Sequence, residues 1–421
     1  MSFITADRVK ESASTTGTGA FTLSGAASNY VTFNTAVGVN NFVHYVINNL
    51  GANEWEVGYG QLTASTTLTR IQVFSGTNGT SFVNFSAGTK EVFVTLPAAF
   101  NGQTLGRTNM IINPHGSIQQ ETTTPTTSLT PNYFADQWAS NVAGSGFAHS
   151  TGVTTGAVSS YDLSHFFQKT TTAKASLAAG DILGITQIIE GNYFRRMLYG
   201  GSSAKGSWLR WRASSTQSGT ASAVIQNASR ARSFVQSFAV TTTPTDYFLY
   251  VPGDTTGTWP TDNSAALFVG FTFASGTTFQ TSTLGAWQAG DFRAANTQSN
   301  MLDTVNRQLN ITDVQWSQSA ALLPFEPIDY QEELARCQRY WEAGNSVYTT
   351  YQTGGNGFAI GVPFKGTKRT TPSISFANTT YLNANTISTA FVAADAVGIQ
   401  AVSAGTGSVN WNTQWFASAR M

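Results

Sequence analysis

The chain has 421 residues, with 22 basic and 22 acidic side chains, a charged fraction of only 10% and a single cysteine. No basic surplus is available to neutralise phosphates, which excludes nucleic acid as the partner, and one cysteine excludes an intrachain disulfide framework. No apolar run reaches membrane-spanning length and residues 1–10 lack the apolar core of a secretion signal, so membrane insertion and that export route are not expected.

Residues 1–105 read as a small N-terminal β-domain, in keeping with 39 glycines and 12% aromatics in a chain rich in Thr, Ser and Asn. Its opening run of Asp7, Arg8, Lys10 and Glu11 is dense in charge for this composition. Such a run suits a polar docking surface or a solvated strand end better than a core. Residues 42–47 are continuously apolar enough for a central strand. Trp55, Val57 and Tyr59 alternate with Glu54, Glu56 and Gly58, which predicts an apolar set on one strand face. A further strand stops at Pro97, and a polar connector follows over 98–108.

Residues 106–328 follow the same rules at larger scale. Leu267, Val269, Phe271 and Phe273 share a strand face; Leu209 and Trp211 point one way while Trp208, Arg210 and Arg212 point the other. Core on one side and water on the other is the expectation. Thr312, Val314 and Trp316 should share a face in the closing strand. Two stacked antiparallel sheets fit this spacing of strands and turns.

Residues 329–342 form the one convincing amphipathic helix. Asp329 can cap its N-terminus, Glu332 and Glu333 occupy the first turn, and Glu332 reaches Arg336 four residues on. Tyr330, Leu334, Cys337 and Trp341 then form an apolar stripe that must be buried, either on the preceding β-domain or against other copies of the chain. Glu332, Glu333, Arg336 and Arg339 are expected to face outward. Residues 343–421 close the chain as a small β-sandwich, with strands near 358–364, 373–376 and 410–416. The fold expected is therefore all-β and multi-domain, with one linking helix.

Signals for chemistry are sparse. His44, His115, His149 and His165 show no metal-ligand spacing, so no metal or other cofactor is expected. Glycan hydrolysis needs two carboxylates across a cleft, and nothing pairs Asp136, Asp162, Asp181, Glu190, Asp254 or Asp262 in that way. Glycan binding fits the composition better, because flat aromatic faces accept sugar C–H faces while Arg, Asn and Asp fix hydroxyls. Trp208 with Arg210 and Arg212, Trp259 beside Asp254 and Asp262, and the pair Trp411 and Trp415 are the candidates. For each Trp the competing reading is core packing.

A resemblance joins these features. Pro324, Phe325, Glu326 and Pro327, followed by Glu332, Glu333, Leu334, Ala335, Cys337, Gln338, Arg339 and Tyr340, resemble the end of a jelly-roll module common in bacteriophage tail-fibre and related receptor-binding virion proteins. The runs 109–114, 135–138, 176–181, 251–259 and 287–290 resemble other pieces of that module, in the same order along the chain. Residues 6–11 with 15–19 resemble a separate phage virion module. The resemblance implies a central jelly roll of the carbohydrate-binding-module kind in a non-enzymatic virion appendage. The protein would be assembled in the host cytoplasm, docked on tail or baseplate proteins through Asp7, Arg8, Lys10 and Glu11, and would bind host polysaccharide or lipopolysaccharide through its C-terminal domains. It further implies a homotrimer with the 329–342 helix near its axis. A capsid fibre or decoration protein without a receptor role, and a glycan depolymerase, are the alternatives.

Overall fold

The computed structural model describes residues 4–98, 109–154, 164–318, 322 and 325–421. The protein is all-β and multi-domain: among the described residues three antiparallel sheets hold five to seven strands and two more hold three each, and helix is confined to short segments. The chain divides into two compact units, Met1–Thr108 with Ser317–Phe325, and Asn109–Trp316 with Glu326–Met421.

The first unit is built on a six-stranded sheet, in the order Lys10–Ala13, Lys90–Val94, Phe42–Asn49, Glu54–Ala64, Thr67–Gly76, Phe21–Thr22. Its core gathers Phe21, Phe33, Tyr45, Ile47, Leu62, Leu68 and Phe85. Trp55, Val57 and Tyr59 do share a face of the strand Glu54–Ala64, with Tyr59 buried against Phe42, but the main core meets the other face. Tyr45 pairs with Gly58 and Ile47 with Glu56, so Glu56 and Gly58 face the core, and Trp55 is 36% exposed. The glycines are the reason: a Cβ at Gly58 would stand 2.7 Å from the Tyr45 hydroxyl. The space they leave is filled by the Tyr45 ring. Its hydroxyl donates to Glu56 at 2.9 Å, and Arg70 reaches both Glu56 oxygens at 3.0 Å. Arg70 also donates to the carbonyls of Gly17, Gly19 and Val83, so the buried charge pair is fully hydrogen-bonded.

The second unit contains a β-sandwich. A five-stranded sheet runs Thr245–Val251, Ser207–Ser215, Gln308–Trp316, His165–Thr172, Ala148–Thr154. A seven-stranded sheet runs Trp287–Ala289, Arg232–Val240, Gly219–Asn227, Ala265–Ser275, Ile182–Glu190, Trp138–Ala143, Tyr133–Ala135. The chain crosses repeatedly between the two sheets, as in a jelly roll. Leu209 and Trp211 from one sheet and Leu267, Val269, Phe271 and Phe273 from the other meet in one core, as the alternation predicts. The closing strand departs from expectation: Asp313 takes a left-handed φ of 52°, and the register with Ser207–Ser215 shifts between Arg210 and Arg212. This bulge turns Thr312 away from Val314 and Trp316, and its hydroxyl donates to the Ser164 carbonyl instead.

The helix is Tyr330–Gln338, shorter than 329–342, with Asp329 capping the Gln331 N–H at 2.9 Å. Trp341 is not helical, because it opens the strand Trp341–Gln352, which pairs along its length with Gly407–Ser418. The expected stripe is also rotated. Tyr330 is 54% exposed, whereas Glu333, Arg336 and Cys337 are buried. Glu333 pairs with Arg336 at 3.1 Å and accepts from the Asn113 N–H, while Arg336 donates to the Asn109 and Ile111 carbonyls. Arg339 holds Glu190 through two bonds of 2.7 and 3.0 Å. The helix thus docks on its own unit by charged groups expected to face outward, with Leu334 and Cys337 packing beside Ile112, Ile118 and Tyr340.

The C-terminal strands form two three-stranded sheets. One is ordered Trp341–Gln352, Gly407–Ser418, Ser373–Leu382, and the other Gly357–Pro363, Ala396–Val402, Ser388–Val392. They close on a core containing Trp411, Trp415, Phe358, Val397 and Ile399.

Candidate functional site

Most of the aromatic residues expected to touch a ligand are occupied in packing. Trp411 is fully buried, stacked on Tyr348 and Phe358 at 5.0 and 5.1 Å. Trp415 packs on Phe364 and presses so closely on Gly344 that a Cβ there would lie 2.3 Å from its ring. Trp259 is buried edge-on to Tyr199 and Trp287, and its indole N–H donates to the Thr256 carbonyl. Asp254 is buried in a two-bond pair with Arg232, both at 2.8 Å. Asp262 is exposed, and caps the Ser264 N–H. None of the three tryptophans presents a free face to a sugar, and Asp254 is spent on Arg232.

Trp208, Arg210 and Arg212 do lie on the outer face of the five-stranded sheet, opposite Tyr250, Phe248 and Asp246. Trp208 is buried rather than wet, tilted on Tyr250 at 5.4 Å. The two arginines share the buried carboxylate of Asp246 at 3.5 and 3.9 Å. In the N-terminal run, Asp7 and Arg8 are exposed, and Lys10 pairs with Glu91 at 2.5 Å. Glu11 corrects the docking expectation: it is buried and accepts the Phe33 and Gly25 N–H groups at 2.6 and 2.9 Å, which makes it an internal anchor. Asp162 lies outside the described residues.

The outer face of the seven-stranded sheet offers what those positions do not. Alternation along Ala265–Ser275 sends Leu267, Val269 and Phe271 to the core and Phe268, Gly270 and Thr272 outward. Next to Gly270 stand Val224 and Thr186, its cross-strand partners. The chain over 290–298 crosses part of this face. Ser233 donates to the Gly290 carbonyl, Gln226 to Asp291 and Thr272 to the Arg293 carbonyl, and the Ala295 N–H donates to Ser222. Beside this strap a shallow groove remains, open to solvent, enclosing only about 10 Å³ and floored by Gly270, Val224 and Thr186.

Its walls carry polar groups of two kinds. On the strap side, Arg293 grips both oxygens of Asp291 at 2.8 and 2.6 Å and donates to Asn141 at 3.2 Å. Burial would raise the Asp291 carboxyl, but hydrogen bonds from Arg293 and Gln226 and the nearby guanidinium charges hold it below its usual value. On the other side, Arg230 sits in a tight turn with φ 57° and lays its guanidinium on the Phe268 ring, 4.5 Å from the centroid. Among the described residues that guanidinium donates no hydrogen bond to the protein. Burial and the like charge of Arg293 lower the Arg230 pKa.

The groove therefore presents unused directional donors over an aromatic ring. Its one carboxylate is already tied down. A second depression near Arg420 and Tyr133 encloses almost no volume, and its polar groups are spent: Asp136 is taken by Gln120 and Arg420 pairs with Glu121. The sequence carried one signal for the groove that went unread, an aromatic and a glycine on the wet side of a strand whose core side was clear. Arg230 and Arg293 come from a turn and a strap, which no periodicity marks.

No family model matches the chain, and no curated protein matches it. Among solved structures, it is similar to the enzymatically active domain of tailspike protein 4 from bacteriophage CBA120, at 12% identity over 53% of this chain and TM-score 0.26. The similarity spans only 22% of that tailspike chain. It is also similar to a family 11 carbohydrate-binding module from Clostridium thermocellum, solved with a mixed-linked tetrasaccharide, at 12% identity over 47% of this chain and 98% of the module, TM-score 0.26. The N-terminal cellulose-binding domain of Cellulomonas fimi β-1,4-glucanase C is similar at 14% identity over 44% of this chain and 90% of that domain, TM-score 0.22.

Proposed function

We propose that the protein is a non-enzymatic bacteriophage virion appendage that binds a host cell-surface glycan. The observation that carries the binding reading is the groove beside the 290–298 strap, where Arg230 rests on Phe268 with its donors unspent. Sugar recognition asks for that pairing of apolar surface with a few directional polar groups. Asp291, the carboxylate bordering the groove, is held by Arg293, so the groove does not offer the acid and base that glycoside hydrolysis uses. The binding surface proposed is thus on the central sandwich. The C-terminal pair Trp411 and Trp415 serves as core.

The virion placement rests on the order of jelly-roll motifs along the sequence. The N-terminal unit is the proposed attachment end, through exposed Asp7 and Arg8 with Lys10 beside them. A homotrimer would present three shallow grooves to a repeating polymer, and avidity would compensate for weak single sites. The test is titration of the full chain with polysaccharides extracted from a panel of bacterial surfaces, beside the Phe268→Ala variant. At least one polymer is expected to bind and to lose roughly tenfold or more in affinity with the variant, since stacking contributes about 1 kcal/mol or more. No new reducing ends should form. Binding unchanged by Phe268→Ala, or release of reducing ends, would count against the reading.

A further inference from the structure

We propose that the groove selects acidic saccharides, with the sugar carboxylate seated on Arg230. This rests on the glycan-binding reading and deepens it. The charged side chains at the groove are Arg230, Arg293 and Asp291, two cations against one anion. Asp291 spends its charge on Arg293, which it meets through two short bonds. The positive charge left over is that of Arg230, which has no counter-ion within pairing distance among the described residues.

The position of this cation is unfavourable as it stands. Arg230 is half buried and faces the like charge of Arg293; its contact with the Phe268 ring and the charge of Asp291, which is not in direct contact, offset this in part, and burial still lowers its pKa. An anion in the groove would remove that penalty, whereas a neutral sugar would leave it in place. The guanidinium is also planar, with edge N–H groups that spend no hydrogen bond on the protein among the described residues. Such an edge matches the two oxygens of a carboxylate through parallel hydrogen bonds. Thr186 in the floor and Asn141 beside it line the same groove; the Thr186 hydroxyl, which donates to the Val269 carbonyl, can still accept, and the Asn141 amide N–H groups can donate to ring hydroxyls. Gly270 keeps the floor low, since a Cβ there would come within 2.8 Å of the Ile185 carbonyl.

The experiment compares three acidic polymers, polygalacturonate, hyaluronan and polysialic acid, with the same polymers after chemical reduction of their carboxyl groups to alcohols. Each is titrated against the full chain and against the Arg230→Gln and Arg230→Lys variants, whose melting temperatures are recorded alongside. At least one acidic polymer is expected to bind roughly tenfold or more tighter than its reduced form, the worth of a charge-assisted hydrogen bond. Arg230→Gln should erase that preference and Arg230→Lys should restore part of it, both with the wild-type melting temperature. The preference should also shrink as salt rises. Equal binding of acidic and reduced polymers, still lost in Phe268→Ala, would overturn the acidic selectivity and leave the glycan reading standing. Failure of every polymer, acidic or reduced, to bind would overturn both.

Discussion

At the scale of single residues, the clearest energetic commitments are buried charges that composition alone would not place. Glu56 and Arg70 are paired inside the N-terminal unit, with Phe21, Phe82 and Phe85 around the guanidinium at 5.0 to 5.7 Å. Replacing one partner strands the other, so Arg70→Met should destabilise that unit by about 3–5 kcal/mol. Chemical denaturation followed at Trp55, the single tryptophan of the first 108 residues, would measure it. His44 gives a pH prediction. Burial lowers its pKa from 6.5 to about 4. The folded-state value is thus depressed, so between pH 6.5 and 4 the unfolded chain binds the proton first and stability falls as pH falls. The loss should approach about 3 kcal/mol near pH 4 and be absent in His44→Phe, as read by melting temperature against pH. In the central sandwich, Trp211 touches Phe238, Tyr247 and Phe271, so Trp211→Ala should cost about 3–5 kcal/mol. Trp208→Ala should cost less, yet measurably, because Trp208 is buried on the outer face.

At the scale of elements, the helix shows what a sequence pattern can and cannot settle. Its existence, its Asp329 cap and its need for a docking surface followed from periodicity and capping chemistry. Its orientation did not. The helix is seated by Glu333 and Arg336, whose partners at Asn109, Ile111 and Asn113 lie more than 200 residues away in the chain. The same limit explains why the main core meets the Glu56 and Gly58 face of Glu54–Ala64, where two glycines make room for Tyr45, and the Asp313 bulge that turns Thr312 aside. Where alternation ran undisturbed, as at Leu267 to Phe273, the core was legible. The motifs that carried the family resemblance prove to be framework: Asn113 ties the Ile118 N–H and carbonyl to the Asp136 carbonyl, Asp181 holds Lys174, and the Trp287 indole donates to Pro252. They report the fold and are silent about the ligand. The groove escaped notice because its polar groups come from a turn and a strap. Leu334→Asp probes the element directly. Leu334 packs beside Ile112, Ile118 and Cys337, so the charge should lower the stability of its own unit by several kcal/mol without changing the subunit number, as sedimentation and melting together would show.

At the scale of the whole molecule, the proposal joins an attachment unit to a glycan-binding sandwich. Removing residues 1–20 would not test the attachment cleanly, because strand Lys10–Ala13 and the Gly17 and Gly19 carbonyls that hold Arg70 belong to the fold. Asp7→Lys changes an exposed charge instead, and should leave melting unchanged while reducing incorporation into particles. Sedimentation of the wild type at three chain masses would support the trimer, and a single-chain mass would contradict it. The central claim is where a sugar binds. It is tested most directly by the structure of the full chain with the tightest-binding oligosaccharide from the polymer panel. The account predicts a sugar ring between Phe268 and the 290–298 strap, with Arg230 at its carboxylate. A ring seated instead over Trp208 and Tyr250, or on the C-terminal sheets, would contradict it.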